Sequence, residues 1–83
     1  GINDVATSNV SIYPNPAADV IFIERTSTEN VMVEMYNNKG IVVSSFEMNE
    51  ARQEVNISDL NSGVYFIRIV GETTTNVVRF IKK

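Results

Sequence analysis

The chain has 83 residues, a net charge of −3 and 43% hydrophobic residues, with no Cys and no His. That is length for one small domain, and the apolar content sets it apart from a disordered chain. The acidic balance argues against a nucleic-acid surface; the missing Cys and His remove disulfides, thiol nucleophiles, the commonest general base and the commonest transition-metal ligand. A chain this short buries only about 60–65% of its unfolded surface, so modest stability is expected. No apolar run approaches the roughly 18–20 residues of a membrane span. The first basic residue is Arg25, and the chain opens on Gly1, so it reads as a piece of a longer protein without a signal peptide of its own.

Residues Gly1 to Asn9 are small and polar and read as a linker or loosely held segment, leaving 10–83 as the folded domain. From Val10 on, short β-branched and aromatic runs are separated by turn signals. The runs are Val10–Tyr13, Val20–Glu24, Val31–Tyr36, Ile41–Met48, Gln53–Ile57, Val64–Val70 and Asn76–Ile81. A spacing of about ten residues, with no sustained helical period, is that of an all-β sandwich or barrel.

Between the first two runs lies Tyr13-Pro14-Asn15-Pro16, which stops a strand because proline has no amide to donate. In the second run Ile21 and Ile23 face one way, opposed by Val20, Phe22 and Glu24. Val33 and Met35 face inward in the third run, and Asn37-Asn38-Lys39-Gly40 after it fits a type I turn closed by a left-handed glycine. Ser58–Gly63 is a tight connection with Leu60 as its apolar anchor. Val64–Val70 is apolar on both faces except at Arg68, which marks a central strand. Its outward Phe66 then needs a cover. Gly71–Asn76 is a polar hairpin loop. The expected core is Ile21, Ile23, Val33, Met35, Leu60, Tyr65, Ile67 and Ile69.

Ten acidic residues invite a paired-carboxylate glycosidase reading. Most alternate with apolar residues or lie in loops, so a solvated sheet face is preferred, and no enzyme is expected. Asp59 and Asn61 suit calcium chemically, but the stretch lacks EF-hand spacing and turn chemistry explains both. No metal or other cofactor is expected. The tyrosines and phenylalanines are assigned to packing in preference to a carbohydrate platform. At the end of the chain, Arg79, Lys82 and Lys83 place three of the seven basic residues in the last five positions. Composition alone assigns them to guarding an edge strand against stray pairing.

Pro14-Asn15-Pro16 early, Leu60-x-x-Gly63-x-Tyr65 late and the terminal Arg79-Phe80-Ile81-Lys82-Lys83 occur in one order. Val33-Glu34-Met35-Tyr36 followed by Asn38-Lys39-Gly40 lies between them. Together they resemble the type A C-terminal sorting domain of the type IX secretion system of Bacteroidetes, from Val10 to Lys83. The resemblance implies an immunoglobulin-like sandwich of about seven strands that directs an N-terminal cargo domain of the same chain across the outer membrane. It further implies transit through the periplasm, docking on translocon or shuttle proteins, and removal by a surface sortase, leaving the cargo on the cell surface or secreted. No nucleic acid or small-molecule substrate enters this reading; a weak homodimer through edge strands does. In this frame the two prolines make a rigid corner that Asn15 holds by bonding backbone. Gly63 supplies a positive φ, Leu60 plugs the core, and Tyr65 faces inward with its hydroxyl at the rim. The terminal strand is expected to be read by strand addition, with Phe80 and Ile81 giving one apolar contact on each face. The alternative is an appended fibronectin-like or carbohydrate-binding module, because fold class does not choose between them.

Overall fold

The computed structural model describes residues 10–72 and 75–83; the linker reading of residues 1–9, and Thr73 and Thr74 of the last hairpin loop, lie outside them. The strands are β1 (Val10–Tyr13), β2 (Val20–Arg25), β3 (Val31–Asn37), β4 (Val42–Met48), β5 (Arg52–Asn56), β6 (Gly63–Val70) and β7 (Thr75–Lys82). They form a three-stranded sheet in the order β1-β2-β5 and a four-stranded sheet in the order β4-β3-β6-β7. Every strand pair is antiparallel, and no helix occurs among the described residues. This is the immunoglobulin-like sandwich, two sheets closed on one apolar layer.

Alternation sets the faces. Ile21 and Ile23 of β2, Val33 and Met35 of β3, and Tyr65, Ile67 and Ile69 of β6 all point into the layer and are buried. The central position of β6 follows from its two neighbours, β3 and β7. Phe66 is covered from both sides on the outer face, since its register partners are Tyr36 on β3 and Arg79 on β7. The Asn37–Ile41 turn forms as its composition demands. Asn37 Oδ1 accepts from the amides of Lys39 and Ile41, the Gly40 amide donates to the Asn37 carbonyl, and Gly40 takes φ 82°.

Leu60 departs from the expected core: it is half-buried, packed against the core's margin. Its amide donates to the Ile57 carbonyl in a tight turn, and Ile57 takes the enclosed place at 1% exposure. The layer also takes in Ala17, Val31, Met48 and Phe80. Arg25 is buried as well, continuing the inward parity of Ile21 and Ile23. Among the described residues its guanidinium bonds only backbone. Nε donates to the Glu50 carbonyl at 2.9 Å, and Nη2 to those of Glu29 at 2.6 Å and Met48 at 3.4 Å. Its own amide donates to the Ala51 carbonyl. One side chain thus staples the β2–β3 and β4–β5 connections, and its hydrogen bonds offset the cost of burying a charge.

Candidate functional site

The motifs picked out along the sequence meet at one end of the four-stranded sheet. There β6 begins beside the end of β7, Gly63 opposite Lys82 and Val64 opposite Ile81. On the other side of β6, Tyr65 sits opposite Asn37, where β3 enters its turn. The proline corner lies against the outer edge of β7.

The corner is built from Pro14 and Pro16, both exposed and both preceded by cis peptide bonds, with Asn15 between them. Asn15 Oδ1 accepts from the Ile81 amide at 2.9 Å, and its Nδ2 makes a longer contact of 3.5 Å with the Arg79 carbonyl. A side-chain amide carries the same donor and acceptor as a peptide group, so Asn15 extends the ladder where the prolines have no amide to give. Ala17 completes it: its amide donates to the Ile81 carbonyl at 2.7 Å, and the Lys83 amide donates to its carbonyl at 2.8 Å. Ala17 thereby forms a one-residue parallel bridge with Lys82 and is itself fully buried.

This geometry corrects two expectations for the terminal strand. Its backbone from Arg79 to Lys83 is not an open edge, because the corner already occupies the outward groups of Ile81, the Arg79 carbonyl and the Lys83 amide. Phe80 is not a contact residue either. It is 0% exposed and stacks on Tyr65 with ring centroids 5.6 Å apart, so it is core. The basic residues also separate. Arg79 is exposed and shares the outer face with Ile81, which is 40% exposed, while Lys82 has the parity of Phe80 and reaches the rim, its Nζ donating to the Lys83 carbonyl. Lys83 is exposed at the end.

The Leu60–Tyr65 segment is a corner of a different kind. The Tyr65 hydroxyl donates to the Asn61 carbonyl at 2.7 Å, four residues back on the same chain. This is the arrangement of the tyrosine corner of immunoglobulin-like sandwiches. Gly63 takes φ 154°, open to glycine and avoided by side chains, with free space where a Cβ would stand. All three residues thus serve the chain reversal into β6.

The two outer faces differ in chemistry. On the smaller sheet, Phe22 is stacked on Tyr13 at 5.6 Å and capped by the Arg52 guanidinium 4.5 Å from its ring centroid, while the Tyr13 hydroxyl donates to Glu24. On the larger sheet a cross-strand row runs Val42, Tyr36, Phe66, Arg79. Beside it the Tyr36 hydroxyl donates to Glu34 at 2.9 Å and Arg68 lies 3.6 Å from the same carboxylate. The hydrogen bond that Arg68 donates to the Tyr36 hydroxyl at 3.4 Å, and then the Glu34 carboxylate, raise the Arg68 pKa above its ordinary value. Among the described residues no three Asp or Glu side chains come together as a metal site would need.

Seven antiparallel strands in two sheets, with no helix among the described residues and with the first corner bonded to the last strand, define an immunoglobulin-like sandwich domain. The family described as "Secretion system C-terminal sorting domain" matches residues 11–83. The chain belongs to that family, and its function is that of a C-terminal sorting signal for type IX secretion. Membership implies interaction with the secretion machinery, and export of cargo across the outer membrane to the cell surface or beyond. Among solved structures the chain is similar to one described as PorZ, an essential bacterial surface component of the type-IX secretion system of Porphyromonas gingivalis. The TM-score is 0.75 at 19% identity, over 100% of this chain and 13% of that one. The likeness shows a shared fold. No curated protein matches.

Proposed function

We propose that the sorting signal is read from the side chains of the composite surface where the proline corner meets the end of β7. The observation that carries this reading is the pairing of Asn15 and Ala17 with Arg79, Ile81 and Lys83, which joins the early and terminal motifs into one element. Pro14, Pro16, Arg79, Ile81 and Lys83 are exposed there. Exposed cations steer docking onto an acidic partner surface, and Ile81 adds apolar contact. The partner is the outer-membrane translocon or its shuttle, met in the periplasm; a surface sortase then removes the domain from its N-terminal cargo, residues 1–9 serving as the linker. Gly63 and Tyr65 support this surface from beneath. Self-association belongs to the edge of β4, where Val42 and Val43 are exposed and no Lys, Arg or Pro guards the strand.

The test is export of a reporter carrying a signal peptide and fused ahead of this chain. Truncation at Arg79 would not serve, since it removes the buried Phe80 with the signal. The double variant Arg79→Glu/Lys83→Glu keeps every core residue and should fold, yet hold the reporter in the periplasm. Surface arrival at the normal yield would place recognition elsewhere on the sandwich.

A further inference from the structure

We propose that the cleft between the β3–β4 turn and the start of β6 is a docking site for an extended peptide of a partner protein bearing one carboxylate. The cleft measures about 290 Å³, just below the roughly 300–1,000 Å³ usual for ligand sites. Its walls are the Asn37–Ile41 turn and the Asn61–Tyr65 segment.

The lining is rich in donors and contains no acid: Lys39, Asn38, Asn61 and Ser62 surround it, and neither Asp nor Glu does. The bonds that build the walls use other atoms. The Asn37 side-chain oxygen holds one loop, and the Asn61 backbone carbonyl holds the other. Among the described residues the Lys39 ammonium, the Asn38 and Asn61 carboxamides and the Ser62 hydroxyl make no hydrogen bond that builds these walls, and as lining groups they remain available to an acceptor. A single cation among neutral donors matches one carboxylate flanked by peptide carbonyls. A phosphate would ask for a second cation or an arginine fork.

Apolar contact lies alongside. Ile41 is 58% exposed at the cleft's lip. Val64, another lining residue, is the register partner of Ile81 of the terminal strand. The walls are fixed before any ligand arrives, by the doubly bonded Asn37 oxygen and by the Tyr65–Asn61 bond, which lowers the ordering cost of binding. Gly63 leaves open space at its Cα, letting a backbone approach closely. Peptide binding here is a property of the chain in solution, so it stands or falls apart from how the terminal surface is read during export.

The experiment is an amide-resonance titration of the 83-residue chain with the blocked peptide acetyl-Gly-Val-Asp-Val-Gly-amide. Its counterpart with Lys in place of Asp is the control. Saturable shifts should centre on Asn38, Lys39, Asn61, Ser62 and Gly63, and the Lys peptide should produce none. Lys39→Glu should weaken binding roughly tenfold, since one attraction becomes a repulsion, and Lys39→Arg should retain it. Asn61→Asp, which keeps the backbone carbonyl that Tyr65 needs, should weaken it independently. Shifts that never saturate would overturn the proposal. So would shifts centred on Arg79, Lys82 and Lys83 that survive Lys39→Glu.

Discussion

Asn15 Oδ1 accepts a hydrogen bond from the Ile81 amide at 2.9 Å, joining residues 66 positions apart. The early corner and the final strand are therefore one structural unit, and each is legible in the chemistry of the other. Two prolines remove the amides that a strand beside β7 would have offered, and the intervening carboxamide restores them.

Asn15→Ala should accordingly cost about 0.5–1.5 kcal/mol, the net worth of one well-formed hydrogen bond, since the 3.5 Å contact of Nδ2 adds little. The local effect should exceed the global one. Hydrogen exchange at the Ile81 and Lys83 amides should accelerate beyond what the change in overall stability produces, because the corner holds both amides in hydrogen bonds. Unchanged protection at Ile81 would show that the corner is held by its prolines and by Ala17 alone.

Core truncation gives the scale for comparison. Ile67, in the middle of the central strand β6, is 0% exposed, and Ile67→Ala should lower stability by about 2–5 kcal/mol in a denaturant titration. Leu60→Ala should cost clearly less, since the half-buried side chain leaves a dent that water fills rather than a closed cavity. Equal losses would mean that Leu60 and Ile57 share the plug at that end of the core.

These two positions mark how far the sequence carries. Alternation places Ile21, Ile23, Val33, Met35, Tyr65, Ile67 and Ile69 in the core correctly, because within a strand parity is fixed by the pleat. Ile57 continues the parity of Gln53 and Val55 one step past the end of β5, whereas Leu60 lies in the turn beyond it, where parity gives no instruction. Arg25 was readable by continuing the parity of β2 one step further, but a charged side chain at an inward position asks for partners that only the folded loops supply. The same holds for the terminal strand. Its basic residues are visible as composition, while the split of Arg79 and Ile81 from Lys82 follows from the pairing of β7. Nothing local in Pro14-Asn15-Pro16 names its partner 66 residues on. That relationship belongs to the topology.

Gly63 and Tyr65 predict a pair of unequal losses. Gly63→Val should cost about 1–3 kcal/mol from backbone strain alone, since φ 154° leaves the Cβ free of clashes but in a conformation side chains avoid. Tyr65→Phe keeps the stack on Phe80 and removes only the bond to the Asn61 carbonyl, so about 0.5–1.5 kcal/mol should be lost. Thermal melts of the single and double variants decide whether they act together. A double loss smaller than the sum would show that both residues hold the same chain reversal.

Arg25 makes the strongest demand on the fold for a residue outside the apolar layer. Its guanidinium is the shared donor for carbonyls in two connections, and its 7% exposure leaves little room for water to take over. Arg25→Met preserves much of the volume and strands those carbonyls, which should cost on the order of 2–4 kcal/mol. Arg25→Lys should recover only part of the loss: a single ammonium is a compact donor and cannot span the Glu29 and Glu50 carbonyls as a planar fork does. The β2–β3 and β4–β5 connections should then exchange their amides faster than the centre of β6. If Arg25→Lys melts with the native chain, the charge alone holds those loops and the geometry of the fork is dispensable.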